Sequence, residues 1–158
     1  MICDPRLPEY TITPDEVFRT CSHVFIATPA ETHYALVKKA LQNKCHVFCE
    51  KPLTTSAKET FELYEEALKS KTDLYVDWIF TCNPAVREIK RQIDAGLLGD
   101  LSYASMNRMN LGPVRHDVSA RFDLSSHDVS ILSYFIEQQM ESRPVSYTHL
   151  TLPTIYSV

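Results

Sequence analysis

A chain of 158 residues with 44% apolar and 23% charged side chains has the size and composition of one ordinary globular domain, which argues against disordered and membrane-spanning classes. A formal charge of -4 and a pI near 5.8 argue against a nucleic-acid surface, so small molecules are the expected partners. Five cysteines, odd in number and without a Cys-x-x-Cys pair, fit a reducing compartment.

The start, Met1-Ile2-Cys3-Asp4-Pro5, lacks the basic lead and apolar core of a signal peptide, so a cytoplasmic location is expected. Thr13-Pro14-Asp15-Glu16 forms a capping box with proline at the first helical position and predicts a short helix to about Arg19. Val24-Phe25-Ile26-Ala27 is an apolar strand, ended by Thr28-Pro29-Ala30-Glu31, which has capping-box spacing. A helix carrying Leu36, Val37, Ala40 and Leu41 follows.

The next unit is the centre of the pattern. His46 to Cys49 reads as a buried strand, apolar on both faces, whose exit delivers Glu50, Lys51 and Pro52 to a crevice. Ser56, with Glu59 three residues on, opens a helix with an expected apolar stripe of Ala57, Phe61, Tyr64 and Leu68. Leu74-Tyr75-Val76 is a third strand running into Asp77-Trp78-Ile79-Phe80. Asn83-Pro84 then starts a helix carrying Val86, Ile89 and Ile93, which Gly96 ends. Alternating strands and helices predict an α/β fold with a parallel sheet, in which Thr28, Glu50-Lys51 and Asp77 to Phe80 share the carboxyl rim where ligands bind.

After Gly99 the pattern changes. Leu101 to Leu111 mixes polar and apolar residues and predicts a strand of a second, mainly antiparallel sheet, so a domain boundary is placed near Gly96 to Asp100. Asp123 and His127, four apart, would share a helix face, followed by a stripe of Ile131, Leu132, Phe135 and Ile136. A carboxylate beside an imidazole suits a base that takes a proton from a hydroxyl, and equally suits a helix cap beside a core histidine. Lys51 reads either as a rim residue or as an ordinary solvent-facing lysine. Two metal sets can be written, Cys45, His46 and Cys49, and the cluster from His116 to Asp128. Neither has diagnostic spacing, and no metal is expected.

Read together, Ala27-Thr28-Pro29 with His33, Glu50-Lys51-Pro52-Leu53, Gly96-Leu97-Leu98-Gly99-Asp100 and Asp123-Leu124-Ser125-Ser126-His127-Asp128 resemble the Gfo/Idh/MocA family of NAD(P)-dependent oxidoreductases over about Val24 to Phe135. The resemblance implies an enzyme transferring a hydride between a sugar, nucleotide-sugar or cyclitol hydroxyl carbon and NAD or NADP, in a homo-oligomer with no membrane or nucleic-acid partner. It implies Lys51, Asp123 and His127 as catalytic residues and Thr28, Pro29, His33, Glu50, Lys51 and Pro52 as cofactor-side residues. It also implies Arg115 and Asp117 as substrate-side residues.

The chain departs from the family pattern in one respect. Its glycines, Gly96, Gly99 and Gly112, form no Gly-x-Gly-x-x-Gly turn for the pyrophosphate. The expectation is an internal fragment: residues 1–97 as the later part of a Rossmann-type domain, 98–143 as the start of an α+β domain, and 144–158 as a non-native tail resembling translated adapter DNA. Such a fragment is expected to be inactive by itself. The competing readings are a non-catalytic sensor or binding module, and metal-assisted chemistry on the His116 to Asp128 cluster.

Overall fold

A computed structural model of the chain describes residues 3–4, 7, 12–107 and 121–140. Three of the helix starts, those of α1, α3 and α4, follow from side-chain caps. In α1 (Pro14–Thr20) the Thr13 hydroxyl accepts from the Glu16 N–H, and the Glu16 carboxylate accepts from the Thr13 N–H at 2.8 Å, a closed capping box. In α3 (Ala57–Ser70) the cap is Ser56, and in α4 (Pro84–Asp94) it is Asn83, whose side chain accepts from the Ala85 N–H. The start of α2 (Ala30–Gln42) differs from expectation. Its cap is Pro29, which has no side-chain acceptor, and Thr28 lies one residue too early. The Thr28 hydroxyl instead meets that of Thr32 at 2.6 Å.

Three short strands, β1 (His23–Ile26), β2 (His46–Cys49) and β3 (Leu74–Val76), pair in parallel in the order β1-β2-β3. Ile26 lies opposite Cys49 and Cys49 opposite Val76. Because the last rungs align, Ala27, Glu50 and Asp77 leave the sheet side by side. The Glu50 N–H donates to the Ile26 carbonyl and the Asp77 N–H to the Cys49 carbonyl.

The core lies between one sheet face and the helices α2 and α3. Val24, Ile26, Val47 and Cys49 point into it and meet Val37, Ala40, Leu41, Leu63 and Ala67. This corrects two expectations. The buried line of α3 is Leu63 and Ala67, while Phe61 and Leu68 are 71% and 80% exposed. The helix has apolar residues on two sides, and the side that meets the sheet is covered. The strands are also not buried on both faces among the described residues: Phe25, Phe48 and Tyr75 form an exposed cross-strand row on the far side.

Beyond β3 a tight 3-10 turn (Ile79–Cys82) leads into α4, which ends at Gly96 with φ of 70°. The Gly96 N–H donates to the Ile93 carbonyl and the Leu97 N–H to the Gln92 carbonyl, the bonds that close a helix through a left-handed residue. Residues 101–107 carry no strand, contrary to expectation, and the described residues hold no second sheet for them to pair with. A strand's backbone groups need such a partner. One wide π turn (Arg121–Ser125) opens α5 (Ser126–Met140), which packs on the 3-10 turn and on α4. The buried Lys90 of α4 bridges to Asp94 and lies over the Tyr134 ring of α5. Among the described residues no helix is long and apolar enough to cross a membrane.

Candidate active site at the carboxyl rim

The rim expected from the strand order is present. Thr28 follows β1, Glu50 and Lys51 follow β2, and Asp77 to Phe80 follow β3. Lys51 reaches from this rim to the π turn before α5. Its Nζ donates to Asp123 Oδ1 at 2.7 Å and to the Asp123 backbone carbonyl at 3.0 Å. Both side chains are largely shielded, at 16% and 22% exposure. A charge-assisted contact in that setting is short and fixes the ammonium in direction, which a solvent-facing lysine would not be. The choice between rim residue and ordinary surface lysine therefore falls to the rim.

Sequence spacing paired Asp123 with His127. The structure turns the Asp123 Oδ1 toward Lys51, 72 residues away along the chain. His127 lies in the first turn of α5, is 7% exposed, and sets its ring edge-on to Phe80 with centroids 4.8 Å apart. Phe80, in the Asp77 to Phe80 stretch expected at the rim, thus shapes the histidine's surroundings, a contact with His127 that no sequence spacing signalled. Lys51, Asp123 and His127 are brought to one side of the rim, on two segments that meet only in the folded chain.

The cofactor-side candidates separate. Thr28 and Pro29 are exposed at the end of β1, and Glu50 is half-buried with its carboxylate accepting from the Lys51 N–H at 3.3 Å. Pro52 is buried, with the Lys51–Pro52 peptide cis. His33 is 1% exposed, and its two ring nitrogens lie at hydrogen-bond distance from the backbone carbonyls of Thr28 and Pro52, each at 2.8 Å. His33 thus joins the loops after β1 and β2 from beneath the rim. Arg115, Asp117 and the His116 end of the alternative metal cluster lie outside the described residues, as does the tail.

A cavity of about 450 Å³ opens behind Pro52, between α3 and α5, lined by Thr54, Thr60, Tyr64, Trp78, Ser126 and Ser130 among others. Lys51, Asp123 and His127 do not line it. Cys45 and Cys49 are fully buried. The Cys45 thiol faces the carbonyls of Phe18 and Cys21, and burial, with a smaller push from the neighbouring Glu50 charge, raises the Cys49 thiol to about 12. Both behave as core residues.

Comparison with known proteins adds to this geometry. Residues 4–78 match the model of an oxidoreductase family described by its NAD-binding Rossmann fold. The chain is 32% identical over 124 residues to scyllo-inositol 2-dehydrogenase (NAD(+)) of Bacillus subtilis, covering 75% of this chain and 36% of the relative. It is 35% identical over 131 residues to inositol 2-dehydrogenase 4 of Saccharopolyspora erythraea, covering 81% of this chain and 39% of the relative. The chain therefore spans well under half the length of these relatives. A crystal structure of scyllo-inositol dehydrogenase from Lactobacillus casei with bound NAD(H) and scyllo-inositol superposes with a TM-score of 0.64 at 18% identity. That match covers 78% of this chain and 40% of the other, and at that identity it is a likeness of fold.

Proposed function

Residues 4–78 of the chain belong to the oxidoreductase family with the NAD-binding Rossmann fold, and from that premise we propose that the chain carries the catalytic rim of a dehydrogenase. This enzyme would exchange a hydride between a hydroxyl-bearing carbon of a cyclitol or sugar and a nicotinamide dinucleotide. The observation that carries the proposal is the shielded Lys51–Asp123 contact at the exit of β2, with His127 one turn further along α5.

The residues fit one end of such a cofactor. An open rim with an exposed Thr28 hydroxyl, the Glu50 carboxylate and an ammonium suits the polar nicotinamide and ribose end. The glycine-rich turn that cradles a pyrophosphate is not among these 158 residues, so the fit is to part of the dinucleotide. When bound, the nicotinamide accepts or returns the hydride.

The chain's own groups do the rest. Lys51 donates a hydrogen bond to the reacting oxygen and stabilises negative charge as the proton leaves, and Asp123 holds that ammonium in place. His127, beside it, takes the hydroxyl proton in the oxidising direction and returns it in the reducing one. Phe80 against the imidazole limits its rotation and its contact with water.

The test uses the full-length gene product that carries this segment, assayed for nicotinamide reduction with scyllo- and myo-inositol and a panel of sugars. Lys51→Met is expected to lower kcat by roughly 10²–10⁴-fold with the far-UV spectrum unchanged. Undiminished turnover would remove Lys51 from the chemistry. Tight dinucleotide binding with no turnover on any polyol would favour the binding-module reading.

A further inference from the structure

Among the described residues, His33 is a buried polar side chain that ties two rim loops together and has no part in the mechanism above. It stands in the first turn of α2, with Nε2 2.8 Å from the Thr28 carbonyl oxygen and Nδ1 2.8 Å from that of Pro52. One bond runs to Thr28, where β1 ends. The other runs to Pro52, the residue that follows Lys51. Thr28 and Pro52 belong to neighbouring strand exits, and the last backbone bond joining those exits runs from the Glu50 N–H to Ile26, short of both residues.

We propose that His33 is a positioning residue for Lys51, fixing the backbone on its carboxyl side so that the ammonium meets Asp123, and that it does not touch the dinucleotide. The inference rests on the role given to Lys51 above. The geometry supplies the reason. From Cα to Nζ a lysine has four free torsions, and its tip is placed only if its base is fixed. Glu50 holds one side through the bond from its N–H to Ile26, and His33 holds the other through Pro52. A misplacement of the order of 1 Å at the rim would then reach the reacting oxygen and cost turnover rather than binding.

Two variants test this, His33→Phe, which keeps bulk and removes both ring nitrogens, and His33→Gln, which keeps an amide donor. In the 158-residue chain the amines are labelled with limiting acetic anhydride and followed by peptide mass spectrometry. Lys51 acetylation is expected to rise about tenfold in His33→Phe, the size set by losing buried hydrogen bonds, and less in His33→Gln. The buried Lys90 of α4 should stay as slow as in the parent. In the full-length enzyme, kcat should fall with KM for the dinucleotide unchanged, and His33→Gln should recover part of the loss.

Lys51 and Lys90 loosening together would mean general destabilisation and overturn the proposal. A rise in dinucleotide KM with kcat intact would make His33 a cofactor contact and overturn it equally. If the parent enzyme turns over no polyol while Lys51 labelling still depends on His33, the positioning stands and the redox reading falls. Without any variant, a slowly exchanging ring N–H of His33 is expected by NMR, and rapid exchange with solvent contradicts the clamp.

Discussion

Cys49 and Cys82 are the same side chain in opposite settings. Cys49 is fully buried, and burial raises its thiol to about 12, whereas Cys82 is exposed at the end of the 3-10 turn. The thiolate is the reactive form, so iodoacetamide at pH 8.5 should alkylate Cys82 at least about tenfold faster than Cys49, read by peptide mass spectrometry. Equal rates would mean that the sheet face beneath α2 and α3 is open. The same displacement has a sign for stability. An unfolded Cys49 loses its proton above about 9, while the folded thiol keeps its own to about 12, so this residue costs nothing below 9 and weakens the fold as pH climbs between those values. At this scale the sequence was informative about where Lys51 lies and less so about what it meets. Lys51 could be found because it follows a short apolar strand. Asp123 could not be matched to it, because no periodicity links positions on two segments that meet only through tertiary packing.

Helix starts were legible where a side chain caps them, as at Thr13, Ser56 and Asn83, since the capping bond is local. Helix ends were legible only at Gly96. At the ends of α2 and α3 the left-handed positions are filled by Lys44 and Lys71, with φ of 62° and 57°, and lysine carries no stop signal. The covered side of α3 was misread for a related reason. Two apolar lines run along it, and only contact with the sheet selects Leu63 and Ala67 over Phe61 and Leu68. The energetic difference is large. Leu63→Ala should cost about 2–5 kcal/mol in urea unfolding. Phe61→Ala should stay within about 0.5 kcal/mol in the same chain. A comparable loss at Phe61 would place its ring against something these residues do not describe.

For the molecule as a whole, Phe25, Phe48 and Tyr75 form an exposed apolar row across the three described strands, with the Phe25 and Phe48 rings stacked 5.2 Å apart. Rows of this kind mark surfaces that other protein covers. The 158-residue chain should therefore bind ANS strongly, and Phe48→Lys should reduce that fluorescence without changing the far-UV spectrum. Weak fluorescence in the parent chain would show the face already covered. The α/β class followed from the alternation of elements, because that pattern is set by local chemistry. The second sheet expected after Gly99 did not appear in residues 101–107, since mixed polarity alone names no pairing partner.

The Lys51–Asp123 contact also bears on the order in which the molecule comes together. Each pairing in the sheet closes a loop only one helix long, His23 to His46 and then Val47 to Leu74. The contact at the rim closes one of 72 residues. Longer closures cost more chain entropy and are made after the nearer ones have formed. The rim chemistry is thus expected to be the last part of this chain to assemble and the first to come apart, so a population with intact strands and helices can still contain molecules whose lysine and carboxylate have not met.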